Sequence, residues 1–219
     1  MDLLHRENVK GMQDLLILGT GVHALEMVEI VDRINRVAPT WNLLGLITAD
    51  RTQVGQELNG SRVIGQPDDL AHYPNASLVP SWADMKSMGD LPLDHFISLV
   101  DPSTFISRTA RVGRGCVFYP HCFVGLNAVV EDLVFCMTGS VINHDNRIGT
   151  FTALTTGVQL AGYVTIEPEC YLGQSSTIRQ YLKIGRHSLI GMGSVVVKDV
   201  PPESVMAGNP ARWIRENTR

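Results

Sequence analysis

Between residues 106 and 196 an aliphatic or aromatic side chain, in one place a cysteine, recurs at every sixth position without a break. The series runs Ile106, Val112, Phe118, Val124, Val130, Cys136, Ile142, Ile148, Leu154, Leu160, Ile166, Leu172, Ile178, Ile184, Ile190 and Val196. Four residues after each comes a second, mostly small series that includes Cys116, Cys122, Ser140, Asn146, Cys170 and Ser194. A period of six fits neither a lone helix nor a lone strand. It is the spacing of a solenoid in which each hexad supplies one short strand and one corner, and three hexads close a triangular coil. The run makes about five coils, and at ~4.8 Å per stacked strand the prism is roughly 25 Å tall. Glycines directly after the large series, at 113, 125, 149, 173, 185 and 191, predict tight corners or positive φ.

Residues 1–100 read differently. DLLILGTG is a buried strand entering a glycine turn, HALEMVEIVDRINRV carries apolar residues at helical spacing, and WNLLGLITAD is a second strand ending on an acid. LNGSRVIGQPDDLAHY predicts a turn, a short strand and a short helix, and NASLVPSW a further strand. ADMKSMGDLPLD, interrupted by Gly89 and Pro92, supports only a poor helix. Strand, glycine turn, helix, strand is the opening of a parallel α/β domain, whose ligands bind beyond the carboxyl ends of the strands. The expected organisation is a small Rossmann-like α/β domain over 1–100 and a solenoid domain over 101–219, capped by VPPESVMAGNPARWIREN.

The formal charge of −4 conceals an asymmetry, with 7 basic against 13 acidic side chains up to residue 100 and 11 against 9 after it. Neither half has a basic run dense enough to suggest nucleic acid. No apolar stretch approaches the roughly 20 residues of a membrane span, and MDLLHRENVKG lacks the apolar core of a secretion signal, so a cytoplasmic location is expected. The four cysteines fall in the two inward series and are expected to pack as reduced thiols.

The hexad run followed by KDVPPESVMAGNPAR resembles the hexapeptide-repeat acyltransferases. Within them, ILGTGVHALEMVE and GSVINHDNRIG resemble the bacterial sugar-nucleotide acetyltransferases of the bacillosamine, perosamine and sialic acid type. That resemblance implies a left-handed parallel β-helix, a homotrimer, acetyl-CoA as cosubstrate and a nucleotide sugar as acceptor. It maps the family's general base onto His144, the orienting acid onto Asp145 and the backbone oxyanion donor onto Gly162. Asp stands where relatives often have Glu, and Ala153 where a further histidine is common. Acetyl-CoA would run past Gly173, Gly191 and Gly193, with its phosphates near Lys198 and Arg212.

Gly19, Gly21 and Ala24 satisfy the G-x-G-x-x-G/A phosphate-turn pattern, and Asp50 ends the second strand where a ribose contact is expected. Alone, these residues suggest NAD or a turn that binds nothing. His23 within the turn and the small domain fit the family's nucleotide-sugar site instead. The chain departs from relatives at LVPSWADMKSMGDLP, which lacks their arginine-bearing helix, and at Asp101-Pro102, where they commonly have His-Pro. The three-histidine zinc site of related β-helix carbonic anhydrases would need a histidine where Gly149 stands, so no metal is expected. The alternatives are acetylation of another small amine or alcohol, and a non-catalytic nucleotide-binding solenoid.

Overall fold

The computed structural model describes residues 11–83, 91 and 93–218, and ADMKSMGDLP lies almost wholly outside them. The chain divides into two compact units, 1–102 and 103–219.

In the first unit, β1 (Gln13–Leu18) leads through the Gly19 turn into α1 (Val22–Val37), followed by β2 (Trp41–Ile47), the hairpin of β3 (Glu57–Leu58) and β4 (Ser61–Gly65), and β5 (Ser77–Pro80). The sheet order is β3-β4-β2-β1-β5, parallel except for the hairpin. The predicted strand and short helix in LNGSRVIGQPDDLAHY are β4 and the 3-10 helix Pro67–His72. Strand order reverses between β1 and β5, since β2 and β4 lie on one side of β1 and β5 on the other. β1 is an unbroken apolar run with Leu15 through Leu18 fully buried, as befits a central parallel strand covered on both faces. α1 buries Ala24, Met27, Val28, Ile30 and Val31, a helical stripe.

The second unit is a β-solenoid. Successive coils pair in parallel at a constant shift of 18 residues, Phe123 opposite Phe105, Val141 opposite Phe123 and Gln159 opposite Val141. The first face stacks Phe105–Ile106, Phe123–Val124, Val141–Ile142, Gln159–Leu160, Thr177–Ile178 and Val195–Val196. The second runs from Arg111–Val112 through Arg147–Ile148 to Lys183–Ile184, and the third from Val117–Phe118 through Ala153–Leu154 to Leu189–Ile190. The C-terminal segment forms a hairpin of Ser204–Gly208 and Ala211–Glu216, whose first strand extends the third face in parallel on Leu189–Ile190.

The large series points inward, Ile142, Ile148, Leu154 and Leu160 being essentially fully buried. The small series is inward too. Its polar members answer carbonyls of the next coil: Cys116 donates to Glu131 O, Cys122 to Met137 O, Ser140 to Thr155 O and Cys170 to Gly185 O. Small donors here satisfy corner carbonyls that water cannot reach. All four cysteines are buried thiols outside any disulfide, and desolvation pushes Cys170 up to about 12.

One expectation about the corners needs correction. Positive φ falls three residues after the large series, at Asn127, Asp145, Tyr163 and Tyr181 among others, and not at the glycines directly after it. Those glycines are there for space: a Cβ on Gly149 would lie 2.5 Å from Pro168 N, and one on Gly173 2.6 Å from Met192 N. Coils stacked at strand spacing leave no room for a side chain there.

Candidate active site

His144 sits at the corner between the first and second faces, within the tetrapeptide Asn143-His144-Asp145-Asn146. The flanking asparagines clamp this corner to the coil above. Asn143 Nδ2 donates to Leu160 O at 2.8 Å, and Val164 N donates to Asn146 Oδ1 at 2.6 Å. Between them Tyr163 N donates to His144 O at 3.2 Å. The corner carrying His144 is therefore fixed against the corner carrying Gly162 and Tyr163 by three bonds. Asn146 is buried inside the solenoid, where only a polar side chain could take the Val164 N–H.

Outward from this clamp, His144 Nδ1 meets Asp145 Oδ2 at 2.8 Å. The shorter aspartate thus reaches the ring. It is aimed by the backbone, since Asp145 holds φ 58°. The contact with His144, followed by a hydrogen bond from Asn127, holds the Asp145 carboxyl below its ordinary range. An ionised carboxylate only accepts, so in the neutral imidazole Nδ1 carries the proton and Nε2 presents the lone pair. The His144 side chain is 52% exposed, so Nε2 is open to an incoming group.

Gly162 is the neighbour of that nitrogen. A Cβ at 162 would lie 2.6 Å from His144 Cε1 and 2.7 Å from Nε2, so the backbone of Gly162 is packed directly against the Nε2 side of the ring. Among the described residues the Gly162 N–H enters no hydrogen bond, while its carbonyl accepts from Tyr181 N at 3.2 Å. His144, Asp145 and Gly162 thereby form one cluster: an exposed imidazole, a carboxylate that fixes its tautomer and an uncommitted backbone donor.

The other candidates distribute unevenly. Residues 144, 162, 180 and 198 occupy one column, so Lys198 stands three coils from His144, roughly 14 Å at ~4.8 Å per coil. Gly173, Gly191 and Gly193 lie on a different edge, between the third and first faces. Gly173 is buried against the next coil, whereas Gly193, at φ 66°, faces open space. Arg212 is exposed on the C-terminal hairpin, bonded to Ala211 O.

In the first unit, Gly19 (φ 129°) donates to Ile47 O at 2.8 Å, closing the end of β1 against β2. Gly21 is the N-cap of α1, without a side-chain cap and without an acidic residue in the first turn, which leaves N–H groups and a positive dipole end for an anion. His23 pairs within the helix with Glu26, Nδ1 to Oε2 3.3 Å. Asp50 is locally engaged: it caps the 3-10 helix Arg51–Gln53, accepting from Thr52 N at 2.9 Å and Thr52 Oγ1 at 2.7 Å. The D-x-T spacing is a capping signal that the sequence carries openly. Asp101 is fully buried and gripped bidentately by Arg33 of α1. Among the described residues no three His, Cys, Asp or Glu side chains converge as a metal site requires, and no helix is long and apolar enough to cross a membrane.

The sequence reading missed the residues around the pair. Asn127, Asp145, Tyr163 and Tyr181 follow one another at 18-residue intervals and form a second column beside the first. Asn127 Nδ2 donates to Asp145 Oδ1 at 3.1 Å. The Tyr163 ring meets His144 edge-on, centroids 5.3 Å apart, and stacks on Tyr181 at 5.0 Å. The coil period of three hexads was available in the sequence and would have found them.

No family model matches the chain. Acyl-(acyl-carrier-protein)–UDP-N-acetylglucosamine O-acyltransferase of Burkholderia thailandensis is 41% identical over 70 residues, 32% of this chain and 27% of that protein. The Burkholderia mallei counterpart is 40% identical over the same shares. The match thus spans about a quarter of the length of these curated relatives. Solved structures align over nearly the whole chain. The acetyltransferase domain of PglB from Neisseria gonorrhoeae, in complex with acetyl coenzyme A, gives a TM-score of 0.80 at 24% identity, covering 93% of this chain and 100% of that one. PerB from Caulobacter crescentus, in complex with CoA and GDP-perosamine, gives 0.79 at 23%, covering 94% and 98%. WeeI from Acinetobacter baumannii gives 0.78 at 21%, covering 93% and 100%. This chain therefore shares the hexapeptide-repeat β-solenoid fold of these proteins, front unit included.

Proposed function

We propose that the protein is an acetyl-CoA-dependent acetyltransferase that acetylates an amino or hydroxyl group of a nucleotide-activated sugar. The observation that carries this reading is the His144–Asp145 pair, Nδ1 to Oδ2 2.8 Å, with Nε2 against Gly162, whose backbone N–H is uncommitted. Asp145 fixes the ring so that Nε2 accepts the acceptor's proton as its nitrogen or oxygen attacks the thioester carbonyl. The Gly162 N–H, already held in place, meets the oxyanion of the tetrahedral intermediate. Collapse of the intermediate breaks the carbon–sulfur bond and releases the CoA thiolate, and the proton held by His144 is available to it. Complexes of similar folds with acetyl coenzyme A, and with CoA and GDP-perosamine, support the assignment of both substrates.

In this reading the solenoid winds left-handed and the front unit is a Rossmann-like nucleotide holder. The uncapped N-terminus of α1 at Gly21, beside Gly19 and His23, receives the diphosphate. Both Thr52 bonds fall on Asp50 Oδ1, which leaves Oδ2 for a ribose hydroxyl. CoA extends along the solenoid toward Lys198, with Gly173, Gly191, Gly193 and Arg212 contributed from the other edge of the first face. A homotrimer would bring that edge of one subunit toward the His144 corner of the next, and the exposed stack of Phe105 on Phe123, centroids 5.1 Å apart, supports burial of the first face. The expected compartment is the cytoplasm.

Thiol release from acetyl-CoA, measured against UDP-, dTDP- and GDP-linked amino sugars, tests the assignment. Release that requires one of these acceptors is the expected result. Release driven equally by simple amines would move the acceptor out of the nucleotide-sugar class. A thermal shift with nucleotides but none with acetyl-CoA would favour a non-catalytic nucleotide-binding solenoid.

A further inference from the structure

Four side chains at one corner position of four consecutive coils touch in series: Asn127, Asp145, Tyr163 and Tyr181. All four hold left-handed backbone, φ 57°, 58°, 59° and 62°. That conformation is costly for a tyrosine and common only for glycine, asparagine and aspartate. At this corner position it aims each side chain outward, parallel to the one above. The column is also anchored from below, since Asn127 N donates to Thr109 Oγ1 at 2.9 Å. Each contact bears on the carboxylate. Asn127 Nδ2 holds Oδ1 at 3.1 Å, leaving Oδ2 for His144. The negative charge of the same carboxylate raises the Tyr163 hydroxyl above its ordinary range. The Tyr163 ring is fixed by Tyr181 behind it, at an interplanar angle of 15°, and walls the His144 ring edge-on at 86°.

We propose that Asn127 and Tyr163, backed by Tyr181, are positioning residues that lock the Asp145 carboxylate and the His144 ring in the one arrangement that leaves Nε2 facing the acceptor. The inference rests on the acetyltransferase reading. A one-methylene aspartate reaches the imidazole along a single path, so a carboxylate free to rotate about χ2 would lose the ring at every angle that turns both oxygens away from Nδ1. Asn127 removes that freedom by occupying the second oxygen.

The test uses the full chain with acetyl-CoA and its accepted acceptor. His144→Ala, Asn127→Gly and Tyr163→Phe are compared, and the latter two are repeated in an Asp145→Ala background. Glycine is chosen at 127 because it accepts the left-handed φ, and phenylalanine at 163 because it keeps both ring contacts. Asn127→Gly should lower kcat about tenfold, the scale of one hydrogen bond to a charged group, with the acetyl-CoA KM unchanged. Tyr163→Phe should lower kcat by no more than roughly threefold, because both ring contacts remain and only the hydroxyl's interaction with the carboxylate charge is lost. Both effects should vanish in the Asp145→Ala background, because residues that act through Asp145 have nothing left to position. A KM change with kcat intact, or equal losses in both backgrounds, overturns the proposal. If His144→Ala is inactive while Asn127→Gly matches wild type, the positioning role alone fails. A fully active His144→Ala removes the catalytic reading and this role with it.

Discussion

Adding one methyl group to Gly162 separates the chemistry of this corner from its architecture. The new Cβ would stand 2.6 Å from His144 Cε1 and 2.7 Å from Nε2. Carbon atoms rest at about 3.5–4.0 Å, so the imidazole must retreat by about 1 Å. The ring is half-exposed and can swing outward, but swinging breaks its 2.8 Å contact with Asp145 and turns Nε2 away from the Gly162 N–H. A displacement of that size in a catalytic group costs on the order of 10²-fold in rate. Stability should barely change, because Gly162 is not left-handed and the obstructing atoms end a mobile side chain. Gly149→Ala is the matched control. Its Cβ would meet backbone, Pro168 N at 2.5 Å and Glu167 C at 2.8 Å, and the coils cannot part. It should cost about 1–3 kcal/mol, the usual penalty of overpacking, with kcat largely kept in the folded fraction. Steady-state thiol release, acetyl-CoA binding by calorimetry and denaturant unfolding read the three quantities. Gly162→Ala with wild-type kcat would refute the placement of Gly162 against the working face of His144.

Other expectations follow from single groups. Hydrogen bonds from His144 and Asn127 lower the Asp145 carboxyl, and Lys183 and Arg186 lower Glu167. A depressed folded-state carboxyl stabilises the fold above its unfolded value, near 3.9–4.3, and that stability is lost as pH falls through the folded value. Urea midpoints of wild type and Asp145→Asn should therefore converge as pH falls below about 4, and a constant gap would contradict the assignment. Arg33→Ala should lower the melting temperature more than Arg33→Lys, because lysine keeps a charge beside the buried Asp101 carboxylate but loses the two-pronged grip. The cysteines should resist a thiol reagent until the chain unfolds, since all four are buried. Rapid labelling of the native protein would disprove the inward packing.

The solenoid was legible because its period is written at every coil. A six-residue recurrence of large side chains and a second small series admit few other folds, and both series are buried from Cys116 onward, with the first coil half-buried. The hexad places His144 at an outward corner, two residues after Ile142, and its pairing with Asp145 came by resemblance, yet their contact is local, between adjacent residues. What surrounds them was harder to read, since Asn127 and Tyr163 are 18 residues away on either side and meet Asp145 only through coil stacking. The corner glycines were half understood. Their position was evident, but their cause is the neighbouring backbone rather than positive φ, which the chain instead imposes on residues as bulky as Phe151 and Tyr163. In the front unit, the grip of Arg33 on Asp101 joins residues 68 apart and leaves no periodic trace.

The central claim is that His144 Nε2 is the base for acetyl transfer. Thiol release from acetyl-CoA should be followed for wild type and His144→Ala side by side, at saturating acceptor, with acetyl-CoA affinity measured on the same preparations. The expected result is a loss of about 10²- to 10⁴-fold in turnover, the usual worth of a general base, with acetyl-CoA affinity unchanged. Turnover that survives the substitution would contradict the account.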